Sequence, residues 1–275
     1  MDLLQAVFLG IVQGLTEFFP VSSSGHLVIF QRIFGLEEPA LLFDICVHVG
    51  TLLAVAAYFY ADIIRICRAL LRLAAGLAGK QALPAAAGRD PDLWMAAFIA
   101  AGSVPTAVLG LGFHQIAHRL FASVFVVGLA LLFTAGLLLA TRKNGGRGYE
   151  IAAFPLWGAL VVGIFQGLAV IPGISRSGAT IAACLMLGLN RDAAARFSFL
   201  LSIPAILGAL LLSLASGPDG WGGFSVGTLF WGTASSAAVG YLALAGLVRI
   251  VRGGRLAYFA PYCAVLGAAV LLLGL

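Results

Sequence analysis

Five ionisable side chains lie within long apolar stretches of this chain: Glu17, His26, Asp44, His48 and Arg176. Such groups are costly inside a membrane, so each is a candidate for function. Gln13 and Glu17 are four residues apart, which puts them on one helix face. Shortly after comes Ser22-Ser23-Ser24-Gly25-His26. The glycine and the small hydroxyl residues let a ligand approach the backbone closely. Successive N–H groups leading into a helix N-terminus form an anion site. Arg176 stands in a similar stretch, Gly173-Ile174-Ser175-Arg176-Ser177-Gly178-Ala179-Thr180, and its planar fork suits a phosphate. Glu17 suits a hard divalent cation or work as a general base. His26 could protonate a leaving oxygen or attack phosphorus itself.

Plainer readings exist. Serines at a proline break often cap the helix that follows. A single buried Glu or His can be a satisfied structural group. The combination of Glu17, the serines, His26 and Arg176 on two matching loops is harder to explain that way. Asp44 and His48, four apart at the start of an apolar segment, read either as support behind the site or as a helix-start carboxylate with a polar neighbour. His114, His118 and Arg119 read as interfacial residues.

The elements that must position these groups are related by a repeat. Gly10 to Gly25 reads GIVQGLTEFFPVSSSG, and Gly163 to Gly178 reads GIFQGLAVIPGISRSG. At a constant shift of 153 residues, half of the positions are identical. Chemistry enters where the copies differ: Thr16, Glu17 and Ser23 stand opposite Ala169, Val170 and Arg176. Spanning a bilayer takes about 20 apolar residues. Six segments qualify, about 43–63, 93–113, 120–141, 197–216, 225–248 and 256–275. Two more, 1–35 and 152–190, break near Pro20 and Pro172. Non-helical backbone at membrane depth survives only where protein buries it or a cavity solvates it. Both are therefore read as re-entrant helix–loop–helix hairpins whose tips meet near the midplane; a single kinked helix is the alternative.

The loop charges test this topology. On this path, all of the 16 Lys and Arg except Arg32, Arg119 and Arg176 fall on one face, which marks it as cytoplasmic. The first hairpin then enters from outside and the second from the cytoplasm. Three crossings separate them, which inverts one copy relative to the other. The expectation is an all-α integral membrane protein, one domain over 1–275, built from two inverted repeats (about 1–141 and 152–275). It has six transmembrane helices and two re-entrant hairpins. The stretch 78–92, with Pro, Gly and mixed charge, reads as a cytoplasmic loop.

Composition agrees. The chain of 275 residues is 61% hydrophobic and 10% charged, with mean hydropathy +1.06; soluble domains carry roughly 25% charged residues. Met1-Asp2-Leu3 lacks the positive start of a secretory signal. Cys46, Cys67, Cys184 and Cys263 lie far apart and read as small buried hydrophobes. The net charge of +5 sits in membrane-flanking loops without an aromatic surface, which argues against a nucleic-acid partner. Trp94, Trp157, Trp221 and Trp231 lie near segment ends, as an interfacial belt would.

Residues Gln13 to His26, QGLTEFFPVSSSGH, resemble the first signature of the undecaprenyl-diphosphate phosphatase family, the bacitracin-resistance type. Pro172 to Thr180, PGISRSGAT, resembles its second. Phe43-Asp44, His48 to Val55 and Phe197 to Leu201 also resemble family stretches, so the likeness covers essentially the whole chain. The resemblance implies hydrolysis of a C55 polyprenyl diphosphate to the monophosphate. It places the reaction on the periplasmic side of the bacterial inner membrane, with Mg²⁺ or Ca²⁺, and implies an inverted-repeat fold. It puts the catalytic roles on Glu17, Ser23, His26 and Arg176. Some members carry glutamate where this chain has Gln13, which leaves Glu17 as the principal metal ligand here.

The expected mechanism holds the lipid tail in a groove open to the bilayer and the diphosphate between the two tips. Ser22, Ser24, Gly25, Ser175, Ser177, Gly178 and Thr180 bind phosphate, and Arg176 stabilises the transferred phosphoryl group. Glu17 with Gln13 places the metal. The nucleophile stays open between Ser23 activated by His26, His26 itself and a metal-bound water. The partners are the lipid substrate and membrane lipids; a homodimer is one option for assembly. The competing class is an inverted-repeat transporter or flippase of a lipid phosphate or other anion. The Glu17–His26 combination, which simple anion binding does not require, separates the two. The acid-phosphatase type of lipid phosphatase is set aside, because its K-x6-R-P is missing and no histidine stands six residues after Arg176.

Overall fold

Asp2 opens the first helix through a reciprocal capping box: the Gln5 N–H donates to its carboxylate, and its own N–H donates to the Gln5 side chain. That helix, α1 (Leu3–Phe18), stops before Pro20, where proline disfavours helical geometry in the preceding residue. In this computed structural model the chain is described at residues 1–36, 41–79, 90–114, 120, 123–142, 148–215 and 224–273. Most of the expected loop 78–92 lies outside them, as do His118, Arg119 and Trp221. The helices after α1 are α2 (Ser23–Ile33), α3 (Leu41–Tyr58), α4 (Tyr60–Leu77), α5 (Pro91–His114), α6 (Val124–Ala140) and α7 (Leu156–Leu168). Then come α8 (Arg176–Met186), α9 (Arg191–Ala215), α10 (Val226–Arg252) and α11 (Ala260–Leu273). Among the described residues the only β pairing is a single bridge between Tyr149 and Leu189.

Four stretches are long and apolar enough to cross a membrane: Pro91–Phe113, Arg191–Leu212, Val226–Arg252 and Leu256–Leu273. A fifth arises if α3 and α4 count as one, but they bend by 74° at their junction. The expected crossing 43–63 therefore ends at Tyr58. Beyond it the pattern changes. Asp62, Arg65, Arg68 and Arg72 share one side of α4, which makes that helix amphipathic rather than uniformly apolar. Within the expected crossing 120–141, the described helix is the 17-residue α6. At 1.5 Å per residue that is about 25 Å, less than the hydrocarbon thickness of a bilayer.

Repeat and packing agree. Helices α2 and α8 begin at 23 and 176 and end at 33 and 186, the same shift as in the sequence. Helix α1 packs chiefly on α10, and its counterpart α7 chiefly on α5. Helix α3 also lies on α10, as α9 does on α5, and α6 packs on α11. Each half's broken helix thus rests on a long helix of the other half. Glycines at matching positions permit it: a Cβ on Gly10 would overlap the Gly232 carbonyl, and one on Gly163 the Gly102 carbonyl. Small residues are how helices approach closely where lipid supplies no hydrophobic drive. Edge-to-face aromatic contacts fill the centre, with Phe18 on Phe199 at 5.8 Å, Phe98 on Phe154 at 5.7 Å and Phe98 on Phe197 at 6.1 Å.

At one end of α4, α5, α9 and α10, ion pairs gather. Asp62 accepts from Arg65 at 2.6 Å and from Arg196; Arg252 donates to Asp192 at 2.5 Å, and Arg65 approaches Asp92 at 3.6 Å. The cysteines depart from expectation in part. Cys184 and Cys263 are buried, whereas Cys67 is exposed on α4.

Candidate active site

The loop after α1 is tight. The Val21 N–H donates back to the Phe19 carbonyl at 2.7 Å. Ser22 follows at φ 70°, a left-handed conformation uncommon for a residue with a Cβ. Its hydroxyl, buried, accepts from the N–H of Gly173 in the other loop at 3.1 Å, and Ser24 Oγ lies 3.4 Å from it. The two loops therefore touch. Gly178 makes room for this: a Cβ there would stand 3.0 Å from Pro20 Cβ. A Cβ on Gly25 would meet nothing closer than Ser22 Oγ at 3.7 Å, so protein packing alone does not demand that glycine.

Glu17 is the hub. Its Oε2 accepts from Gln13 Nε2 at 3.1 Å and from Ser23 Oγ at 2.6 Å. Its Oε1 accepts from Arg176 Nη2. His48 Nε2 stands 3.8 Å from Oε2. One carboxylate thus joins the serine of the first loop to the arginine of the second. The side chains of Glu17 and Arg176 are 6% and 16% exposed, so the pair is largely desolvated. Removing one partner of such a pair leaves a buried charge uncompensated, which costs about 3–5 kcal/mol.

His26 is turned elsewhere. Nδ1 lies 2.8 Å from the Ser22 carbonyl and Nε2 2.6 Å from the Tyr262 hydroxyl. A carbonyl only accepts, so Nδ1 carries the proton. A Ser23–His26 pair, one of the three readings of the nucleophile, is not formed; the Ser23 hydroxyl donates to Glu17 instead. The reason is local. His26 lies one helical turn after Ser22, so its ring folds back onto that carbonyl.

The second loop is held more firmly. Ser175 caps α8, its hydroxyl accepting from the Gly178 N–H at 3.2 Å and lying 3.3 Å from Ser177 Oγ. Thr134 of α6 donates to the Gly173 carbonyl at 3.0 Å and accepts from the Ser175 N–H at 3.1 Å. Thr180 donates to the Arg176 carbonyl at 2.8 Å and lies 2.5 Å from Ser198 Oγ. Ser175, Ser177, Gly178 and Thr180 are all buried, so they build the loop under Arg176.

Of Asp44 and His48, only His48 approaches the hub. The Asp44 backbone carbonyl is 2.7 Å from His48 Nδ1, which fixes that proton and turns Nε2 toward Glu17. The Asp44 carboxylate accepts from Gln31 at 2.6 Å and does not reach the hub. Sequence reasoning missed Gln31, Thr134, Ser198 and Tyr262. Each is a polar side chain inside one of the long apolar segments, and only Ser198 falls in a short stretch quoted for its resemblance to the family.

A hard cation fits the donor set in a limited way. Gln13 Oε1 is buried and without a hydrogen-bond partner, beside the Glu17 carboxylate its own Nε2 contacts. Among the described residues no group of three or more His, Cys, Asp and Glu gathers. One carboxylate and an amide oxygen suit Mg²⁺, which keeps waters and takes substrate phosphates as further ligands, better than an all-protein cage.

Apolar crossing helices and a buried carboxylate–guanidinium–hydroxyl cluster define a multi-pass membrane protein with a polar site suited to phosphate. Its residues 6–269 match the family described as Bacitracin resistance protein BacA, and the chain belongs to that family. It is 50% identical to the undecaprenyl-diphosphatase of Desulfatibacillum aliphaticivorans over 98% of both chains. It is 48% identical to that of Desulforapulum autotrophicum over 100% of this chain and 99% of the relative. It is 43% identical to that of Korarchaeum cryptofilum over 98% and 99%.

Proposed function

We propose that this chain hydrolyses undecaprenyl diphosphate to undecaprenyl phosphate and inorganic phosphate, which returns the lipid carrier to cell-wall synthesis and gives resistance to bacitracin. One observation carries the mechanism: Glu17 accepts from Ser23 of its own loop and from Arg176 of the other. The diphosphate competes with Glu17 for Arg176. Once the guanidinium turns to the phosphate, Glu17 is free to take the Ser23 proton. Ser23 Oγ then attacks the terminal phosphorus. The Oγ–P bond forms, the bridging P–O bond breaks, and undecaprenyl phosphate leaves. Water then attacks the phosphoserine phosphorus: its oxygen forms the new P–O bond, the Oγ–P bond breaks, Glu17 returns its proton to Ser23 Oγ, water's proton passes to His26, and inorganic phosphate leaves. Arg176 and the N-termini of α2 and α8 stabilise charge on the phosphoryl oxygens. Mg²⁺ or Ca²⁺ held by Glu17 and Gln13 would supply a Lewis acid for the phosphate oxygens.

The reading places the site within two re-entrant hairpins, α1–α2 and α7–α8, that enter one domain of two inverted repeats from opposite sides of the inner membrane. Three observations support it: the common shift of α2 and α8, the exchanged packing of α1 on α10 and α7 on α5, and the arginine-rich ion pairs at one end of four helices. On the charge bias that end is cytoplasmic, and the site opens to the periplasm. Phosphate release from undecaprenyl diphosphate by purified protein, with Mg²⁺ and with EDTA, tests the function beside Glu17→Ala. Metal-dependent release lost in Glu17→Ala is expected. No release by well-folded wild-type protein with any metal would overturn it and favour a lipid-phosphate carrier.

A further inference from the structure

Helix α11 grips the first loop at three neighbouring residues. Phe259, just before it, stacks on Phe19 at 5.4 Å. The Cys263 thiol donates to the Pro20 carbonyl at 3.1 Å. Between them Tyr262 places its hydroxyl 2.6 Å from His26 Nε2, with the two rings stacked at 5.9 Å and 13°. With Nδ1–H committed to the Ser22 carbonyl, both imidazole nitrogens are engaged. His26 is 9% exposed, whereas Tyr262 is 48% exposed. The tyrosine is therefore the less enclosed member of the pair, and a hydroxyl both donates and accepts.

We infer that Tyr262 is a positioning residue for His26: its hydroxyl holds the ring as the Nδ1–H tautomer and is the route by which a proton reaches Nε2. A proton released in the reaction enters on the phenolic oxygen while the phenolic proton moves to Nε2. The imidazole gains one proton and the tyrosine is unchanged. The inference rests on the proposed hydrolysis for its catalytic half only, because the hydrogen bond exists without substrate.

The test compares Tyr262→Phe, which keeps the ring, with His26→Ala and the double variant. Phosphate release from undecaprenyl diphosphate gives kcat and KM, and a ¹⁵N spectrum of the histidines is taken on the ligand-free protein. Hydrogen-bond partners that orient metal-bound histidines are worth about ten- to a hundredfold in activity, and a loss of that order is expected for this oriented histidine. Tyr262→Phe should lose that much in kcat, with KM within about twofold, and should cost nothing further in the His26→Ala background. The His26 Nε2 signal should move toward its unbonded position. Undiminished kcat, or an equal loss with and without His26, would overturn the relay. An unmoved Nε2 signal would overturn the positioning. Should wild-type protein release no phosphate, the hydrolysis reading fails by itself, and the spectrum still decides whether Tyr262 sets His26.

Discussion

In the first loop Ser22 adopts φ 70° and offers its hydroxyl to Gly173 of the second. Its repeat partner Ser175 adopts φ −73° and caps its own helix through the Gly178 N–H. In the second loop the left-handed position is Gly173, at φ 99°, which costs glycine nothing. Two copies of one sequence pattern have therefore settled into different backbones. The second loop caps its own helix through Ser175 and is buttressed by Thr134 and Ser198, so Arg176 starts from a firm base. The first leans on its neighbours: Ser22 on Gly173, Pro20 on Cys263 and His26 on Tyr262. Both loops take outside contacts, but only the second also caps its own helix with its serine.

The most damaging way to break this division is to remove the fixed charge. Arg176→Ala should reduce kcat/KM by about 10³- to 10⁵-fold, in the range of other arginines that stabilise phosphoryl transfer. Gel filtration in detergent should still show a single species. Arg176→Lys keeps the charge without the fork and should fall between Ala and wild type. Glu17→Gln should lose about 10²- to 10⁴-fold, because it removes the acceptor of the Ser23 proton.

Stability probes come next, and they ask whether the halves are equivalent in packing even though their loops are not. Gly10→Leu and Gly163→Leu should each destabilise by at least about 1–3 kcal/mol through overpacking. Melting of both in the same detergent would show it, and a tolerated substitution in one half alone would break the equivalence. Thr134→Val leaves the Ser175 N–H and the Gly173 carbonyl without that partner, at about 1–3 kcal/mol. It should raise KM more than it lowers kcat, since it loosens only the loop beneath Arg176. The smallest change is a gain: Gln13→Glu should lower the half-saturating Mg²⁺ concentration by about tenfold, because a second carboxylate strengthens a hard-cation site. An unchanged or higher value would remove Gln13 from the metal.

Much of this was legible in the residues. The common shift located both breaks, at Pro20 and Pro172; the helices resume at Ser23 and Arg176, inside the stretches read as loop. Glu17, Ser23 and Arg176 stood out as polar groups in apolar surroundings. Their mutual pairing did not, since nothing in local spacing links residues 17 and 176. Tyr262 was hidden for the same reason: it meets His26 across 236 residues of chain. The bend at Phe59 escaped notice because apolar content reports how long a run is, not which way it points. The arginines on one side of α4 carried that signal.

The Glu17–Arg176 contact should make two loops from two halves act as one catalytic unit. A double-mutant cycle on phosphate release tests it most directly, with Glu17→Gln, Arg176→Met and the two combined. The account predicts that the double variant is scarcely slower than the worse single variant, as for groups that work as a unit. Losses that multiply would contradict it and would mean that the two loops serve the reaction independently.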